Sequence, residues 1–124
     1  MLRIFSFTLL LFSLFTGALT AQENPHEFLL LGDQAYDEGA YQSAEAAYRA
    51  ARDQEAKAQS NYNLGNAIYQ QQRFEEAIPL FENAARQATN PEVKSKAYHN
   101  LGNSHFQMGQ YPEAVEAYKN ALRA

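Results

Sequence analysis

The sequence predicts an all-α protein, a right-handed α-solenoid of three helix-turn-helix repeats (six helices) that follows an N-terminal signal peptide. Three observations carry this expectation. First, aligning Leu31-Gly32, Leu64-Gly65 and Leu101-Gly102, at spacings of 33 and 37 residues, brings further columns into register. These are Tyr36, Tyr69 and Phe106; Tyr41, Phe74 and Tyr111; Ala44, Ala77 and Ala114; Tyr48, Phe81 and Tyr118; and Ala51, Ala84 and Ala121. Second, apolar residues inside each unit recur at three and four, as in Ala77, Leu80, Phe81 and Ala84, which is the stripe of a helix that buries one face. Third, 124 residues with a formal charge of −4 and no cysteine bound the chain to one small acidic domain. Without cysteine there is no disulfide framework, thiolate metal site or cysteine nucleophile. The acidic balance offers no basic field for phosphate backbones, so nucleic acid is not an expected partner.

Taken in order, the chain opens with Arg3, an apolar run from Ile4 to Phe15 broken only by Ser6, Thr8 and Ser13, and the small uncharged stretch Thr16 to Ala21. This is the pattern of a secretory signal, assigned to residues 1–21 and cut most simply after Ala21. A membrane span needs about 20 apolar residues. If uncut, Ile4 to Ala21 serves as a marginal single anchor, and in either case the remainder faces away from the cytoplasm. The repeats are placed at 25–57, 58–90 and 91–124.

Within the second repeat, Asn61, Leu64, Gly65 and Ile68 share one helical face and Tyr62, Asn66 and Tyr69 another. A glycine inside a helix costs about 0.5–1 kcal/mol against alanine. Its recurrence at Gly32, Gly65 and Gly102 therefore predicts close helix approach, with the small side of the partner near Ala44, Ala77 and Ala114 as the expected contact and the aromatics filling gaps between successive pairs. Gly39 and Gly109 are expected to end first helices in the left-handed conformation. Gln72 stands in that column in repeat two, at a cost of about 1 kcal/mol if the backbone keeps a positive φ. Pro112 suits the first turn of its helix. Pro79 is expected within the unpaired donors of an N-terminal turn or at a slight bend. Asn90-Pro91-Glu92 reads as cap, first helical residue and favourable charge, so the four extra residues between repeats two and three lengthen helices rather than a loop.

These columns resemble the tetratricopeptide repeat family, whose pattern of an aromatic, Leu-Gly, Tyr, Ala, aromatic and Ala recurs over about 34 residues; the match runs from His26 to Ala124. Within it, Tyr62-Asn63-Leu64-Gly65-Asn66-Ala67-Ile68-Tyr69, Phe74 to Ile78, the longer spacer and Lys96 to Asn103 resemble the BatC-like proteins of Bacteroidetes aerotolerance operons. That resemblance implies an extracytoplasmic scaffold, exported to the periplasm or tethered to the membrane by an uncleaved signal. The implied partners are membrane-anchored von Willebrand A domain proteins.

Stacked helix pairs leave a concave wall lined by first helices. The expected protein- or peptide-binding groove comprises Tyr62, Asn63, Asn66, Tyr69, Lys96, His99, Asn100, Asn103 and Phe106. Asparagine amides donate and accept at once, which suits an extended peptide backbone; the alternative is that they hydrogen-bond neighbouring helices. The family's lysine and arginine clamp for a C-terminal carboxylate is mostly missing: Lys96 and Asn63 match it, but Leu29, Asp33 and Asn100 do not. Asp33 and Asp37 at one end and Lys96 and His99 at the other set a mild charge gradient.

No catalytic constellation is expected. His99 and His105 are six apart, where helical metal pairs need three or four. Glu75 and Glu76 suit a helix start rather than acid/base work, and no phosphate loop or nucleophile elbow is present. The sequence therefore predicts a non-enzymatic scaffold without cofactor or metal. Two alternatives stand beside it: a structural subunit of an envelope secretion or assembly machine using its end or convex face, and a regulatory fragment of a longer enzyme. The third repeat stops where a capping helix is expected, which predicts either truncation or self-association through the C-terminal face.

Overall fold

Six helices follow from capping and turn chemistry in a computed structural model that describes residues 24–124; the signal assigned to 1–21 lies outside the described residues. They are α1 (Pro25–Asp37), α2 (Tyr41–Gln54), α3 (Ala58–Gln70), α4 (Phe74–Gln87), α5 (Pro91–Gln107) and α6 (Tyr111–Arg123). No strand occurs among the described residues. The cap signature expected at Asn90 begins α5, and the same signature, not singled out in the sequence, begins α1. Asn24 Oδ1 accepts from the His26 amide and Asn90 Oδ1 from the Glu92 amide, with Pro25 and Pro91 in the first turn, where a missing donor costs nothing. At 17 residues α5 is longer than the 13-residue α1 and α3 by the four residues of the spacer.

The three hairpin turns are alike. Gly39 donates to Tyr36 O and Ala40 to Ala35 O; Gln72 to Tyr69 O and Arg73 to Ile68 O; Gly109 to Phe106 O and Gln110 to His105 O. Each is a Schellman closure whose left-handed residue satisfies carbonyls the helix leaves orphaned. The left-handed residues are Gly39 (φ 76°), Gln72 (φ 60°) and Gly109 (φ 72°), as the columns require. The next residue is already the N-cap of the following helix, so two helices fold back with almost no slack.

α1 packs on α2, α3 on α4 and α5 on α6; α2 meets α3, α4 meets α5, and α3 also touches α5. One core cluster runs through Tyr48, Leu64, Ile68, Leu80, Phe81 and Leu101, with a satellite of Ala84, Ala85 and Ala97 between α4 and α5. The two faces of α3 separate as expected: Asn61, Leu64, Gly65 and Ile68 are buried, and Tyr62, Asn66 and Tyr69 are half-buried. Asn61 is satisfied in the interior by donating to Gln87 Oε1 at 3.0 Å.

One expectation fails, and one of the two places expected for Pro79 is ruled out. The glycines do not face the alanine column: a Cβ on Gly32 would lie 2.4 Å from the Tyr48 ring, on Gly65 2.8 Å from Phe81 and on Gly102 2.6 Å from Tyr118. Each glycine is thus the seat of its own repeat's aromatic ring, and Tyr48 and Phe81 also belong to the core cluster that runs through the three repeats. Pro79 lies inside α4, beyond the unpaired donors, since Ala77 already donates to Arg73 O. Pro79 and Glu75, whose carbonyl loses its helical donor, are both exposed, so water can serve that carbonyl.

Candidate binding groove

The residues expected to line the inner wall sit on α3 and α5 and remain accessible. Tyr62, Asn63, Asn66, Tyr69, Asn100 and Asn103 are half-buried, and Lys96, His99 and Phe106 are exposed. Tyr62, Asn66 and Asn100 come together across the joint between repeats. Asn100 Nδ2 donates to Asn66 Oδ1 at 2.7 Å and approaches the Tyr62 hydroxyl at 3.4 Å. Asn63 Oδ1 accepts from Gln59 at 2.8 Å, and Asn103 Oδ1 accepts from the Tyr118 hydroxyl at 2.6 Å. The asparagines thus bond neighbouring helices at Asn66, Asn100 and Asn103 and their own helix at Asn63, so that one end of each amide is tied to protein. The other end, Nδ2 of Asn63, Asn66 and Asn103 and Oδ1 of Asn100, is without a protein partner among the described residues. No unpartnered polar side-chain atom is sealed from solvent there, so these donors and this acceptor are available to a ligand.

The second repeat differs from its neighbours for one reason. In the first and third, the tyrosine in the ring column caps the polar residue that follows the glycine: Tyr48 donates to Asp33 Oδ1 at 2.6 Å, as Tyr118 does to Asn103. Burial and then the Asp33 carboxylate push the Tyr48 phenol far above its ordinary range, so it donates throughout physiological pH. Phe81 has no hydroxyl, which leaves Asn66 free to bridge to Asn100.

His99 lies against Tyr118 with ring centroids 5.5 Å apart, and Phe106 packs edge-on with Tyr111 at 5.3 Å. Tyr69 packs edge-on with Phe74 at 5.0 Å. Lys96 pairs with Glu92 at 2.9 Å; the Glu92 carboxylate raises the ammonium's pKa, and the ammonium in turn lowers that of Glu92.

Four of the nine expected residues, Tyr62, Lys96, His99 and Asn100, line a cavity of about 480 Å³ together with Ser95, Tyr118, Ala121 and Leu122. The α6 contribution was not foreseen, because the wall was assigned to first helices alone. Tyr118 carried a signal in its aromatic column; Leu122 carried none. Asn63, Asn66, Tyr69, Asn103 and Phe106 lie outside this cavity.

His99 and His105 do not converge, since His105 Nδ1 bonds Gln110 Oε1 at 2.7 Å. Among the described residues no group of three or more His, Asp or Glu is placed to hold a metal ion, and no helix is long and apolar enough to cross a membrane. Glu76 is engaged by Arg73, which lowers its pKa.

A family model described as tetratricopeptide repeat matches residues 54–124. A search of curated proteins finds no match. Among solved structures, the TPR2AB-domain:pHSP90 complex of yeast Sti1 superposes with a TM-score of 0.73 at 21% identity, covering 80% of this chain and 40% of that one. The N-terminal domain of stress-induced protein-1 from C. elegans gives 0.74 at 18% identity, covering 80% and 82%. MamA AMB-1 gives 0.72 at 25% identity, covering 83% and 55%. At the first two identities the likeness is one of fold, and this chain spans under half of the yeast Sti1 chain it matches.

Proposed function

The chain belongs to the tetratricopeptide repeat family, and on that premise we propose that it is a non-catalytic protein-protein interaction scaffold that holds a partner peptide or domain along the wall formed by α3 and α5. The observation that carries this reading is the row of half-used asparagine amides. Asn63, Asn66 and Asn103 are each oriented by one internal hydrogen bond and Asn100 by two, and each keeps a second group free. A donor or acceptor held in place and left open costs a ligand little ordering when it binds. Tyr62, Tyr69 and Phe106 lie beside that row for a partner's apolar side chains. The TPR2AB domain of yeast Sti1, of the same fold, forms a complex with pHSP90, which supports partner binding as a use of this fold.

A finer reading rests on the BatC-like resemblance of residues 62–69 and 96–103. In it the chain is exported by residues 1–21, remains in the periplasm or on the membrane, and helps assemble an envelope complex with membrane-anchored von Willebrand A domain proteins. Crosslinked capture of the protein from its native envelope names the partner. Asn66→Asp and Asn103→Asp then test the wall, since each keeps the acceptor oxygen used by Asn100 or Tyr118 and deletes the free Nδ2 donor. Lost capture at unchanged melting temperature is expected; capture by the double variant at wild-type level rejects the wall as the binding surface.

A further inference from the structure

Both ends of the stack expose, in complementary form, the joint that the chain builds twice internally. At one end, Leu31 of α1 is 56% exposed, although its column partners Leu64 and Leu101 are 0% and 7% exposed. Phe28, Leu31 and Ala35, with Ala46 and Ala47 of α2, line a shallow depression of about 580 Å³ that Gln34, Glu38 and Ser43 also border. At the other end, Leu122 of α6 is 89% exposed, whereas Ala85, its equivalent in α4, is 1% exposed because α5 covers it. Val115 of α6 and Met108 at the end of α5 are exposed as well. Solenoids ordinarily close both ends with polar outer faces, whereas each of these faces exposes a large apolar side chain.

We propose that copies of this chain join end to end, α6 of one copy receiving α1 of the next as α4 receives α5. One kind of partner then covers both faces, through a geometry the fold already contains. Charge supports the same pairing. Glu27 occupies the column of Ser60 and Ala97, and Ala97 packs with Ala84 and Ala85, whose equivalents in α6 are Ala121 and Leu122. Glu27 of the second copy is thereby brought to the last turn of α6, where Arg123 is the one basic residue. Neither residue forms an ion pair among the described residues. The contact is head-to-tail and so directional.

The chain contains no cysteine, so engineered thiols report this joint alone. Glu27→Cys and Leu122→Cys stand where packed alanines stand in the internal joint, within disulfide reach if the joint forms. The full chain is kept in nonionic detergent, so that its apolar first residues are covered. Mixing the two single variants under mild oxidation is expected to give crosslinked dimer in large excess over either variant alone. Sedimentation of the unaltered chain should slow on dilution. Glu27→Arg or Arg123→Glu should each abolish that dependence, and the double variant should restore it. A monomer at every concentration, or crosslinking no greater in the mixture than in the single variants, overturns the proposal and leaves these faces to another protein or another segment of the chain.

Discussion

At the scale of single residues, two columns decide most of the backbone geometry. Gly32, Gly65 and Gly102 exist because an aromatic ring lies where a Cβ would project. Alanine there gains about 1 kcal/mol of helix propensity but overpacks a ring held in the core, which costs about 1–3 kcal/mol. Gly32→Ala and Gly65→Ala should thus lower the urea midpoint. Gly32→Ala should do so more, because its approach to Tyr48 is closer and the Tyr48 hydroxyl is tethered to Asp33. Gln72 is the opposite case, a side chain in a conformation suited to glycine. Gln72→Gly should raise stability by about 0.5–1 kcal/mol after the entropy glycine adds to the unfolded chain, seen as a melting temperature higher by a few degrees. The sequence announced both columns, because a repeated glycine and its one exception are visible in a string of letters. It did not announce what the glycines touch: helical period says which face is buried, and the residue opposite depends on the crossing of two helices, which no spacing within one helix contains.

Between elements, the joints differ in what holds them. α4 and α5 meet through small apolar side chains, Ala84, Ala85 and Ala97. The first and second repeats share the apolar core of Ala44, Tyr48, Leu64, Ala67 and Ile68 and add a polar tie at its edge: Glu45 of α2 accepts from Arg73 and from Gln71, which also reaches Tyr41 O, and Gln70 donates to the Tyr36 hydroxyl. None of these partners could be read from the columns, because Glu45 and Arg73 have no charged counterparts in the other repeats. Burial raises the pKa of the Glu45 carboxyl, but the hydrogen bonds from Arg73, Gln71 and Arg49 outweigh it and leave the group below its ordinary value. A folded-state pKa below the unfolded one contributes stability that is present above the unfolded value and is lost as pH falls through the folded one. Glu45→Gln should therefore cost about 1 kcal/mol at neutral pH, and the gap between variant and parent in urea midpoint should close as the pH is taken from 5 towards 3. A gap that stays constant over that range would mean the carboxylate charge is not what ties the joint.

At the scale of the whole molecule, a stack of repeats has energies that add locally, each unit stabilised by its own packing and by its neighbours. The second repeat is covered on both sides, and its helices bury the most: six residues in α3 and five in α4, against Gly32 alone in α1 and Ala114 and Ala117 in α6. The first repeat is the weakest unit, for its leading helix buries almost nothing and has no neighbour on its outer side among the described residues. The third is intermediate, since α5 buries Ala97, Leu101, Gly102 and Ser104 and shares the asparagine bridge with α3. Local opening should follow that order. Native-state hydrogen exchange of a dilute sample should release the amides of α1 and α2 first, those of α5 and α6 next, and those of α3 and α4 only at the free energy of global unfolding. If α3 and α4 exchange together with α1, the stack unfolds as one block, and the asparagines on α3 are then held no more firmly than the end helices. If the predicted gradient appears, the wall carrying Asn63, Asn66 and Tyr69 sits on the most persistent part of the fold, where an oriented, half-open amide stays in place between encounters with a partner.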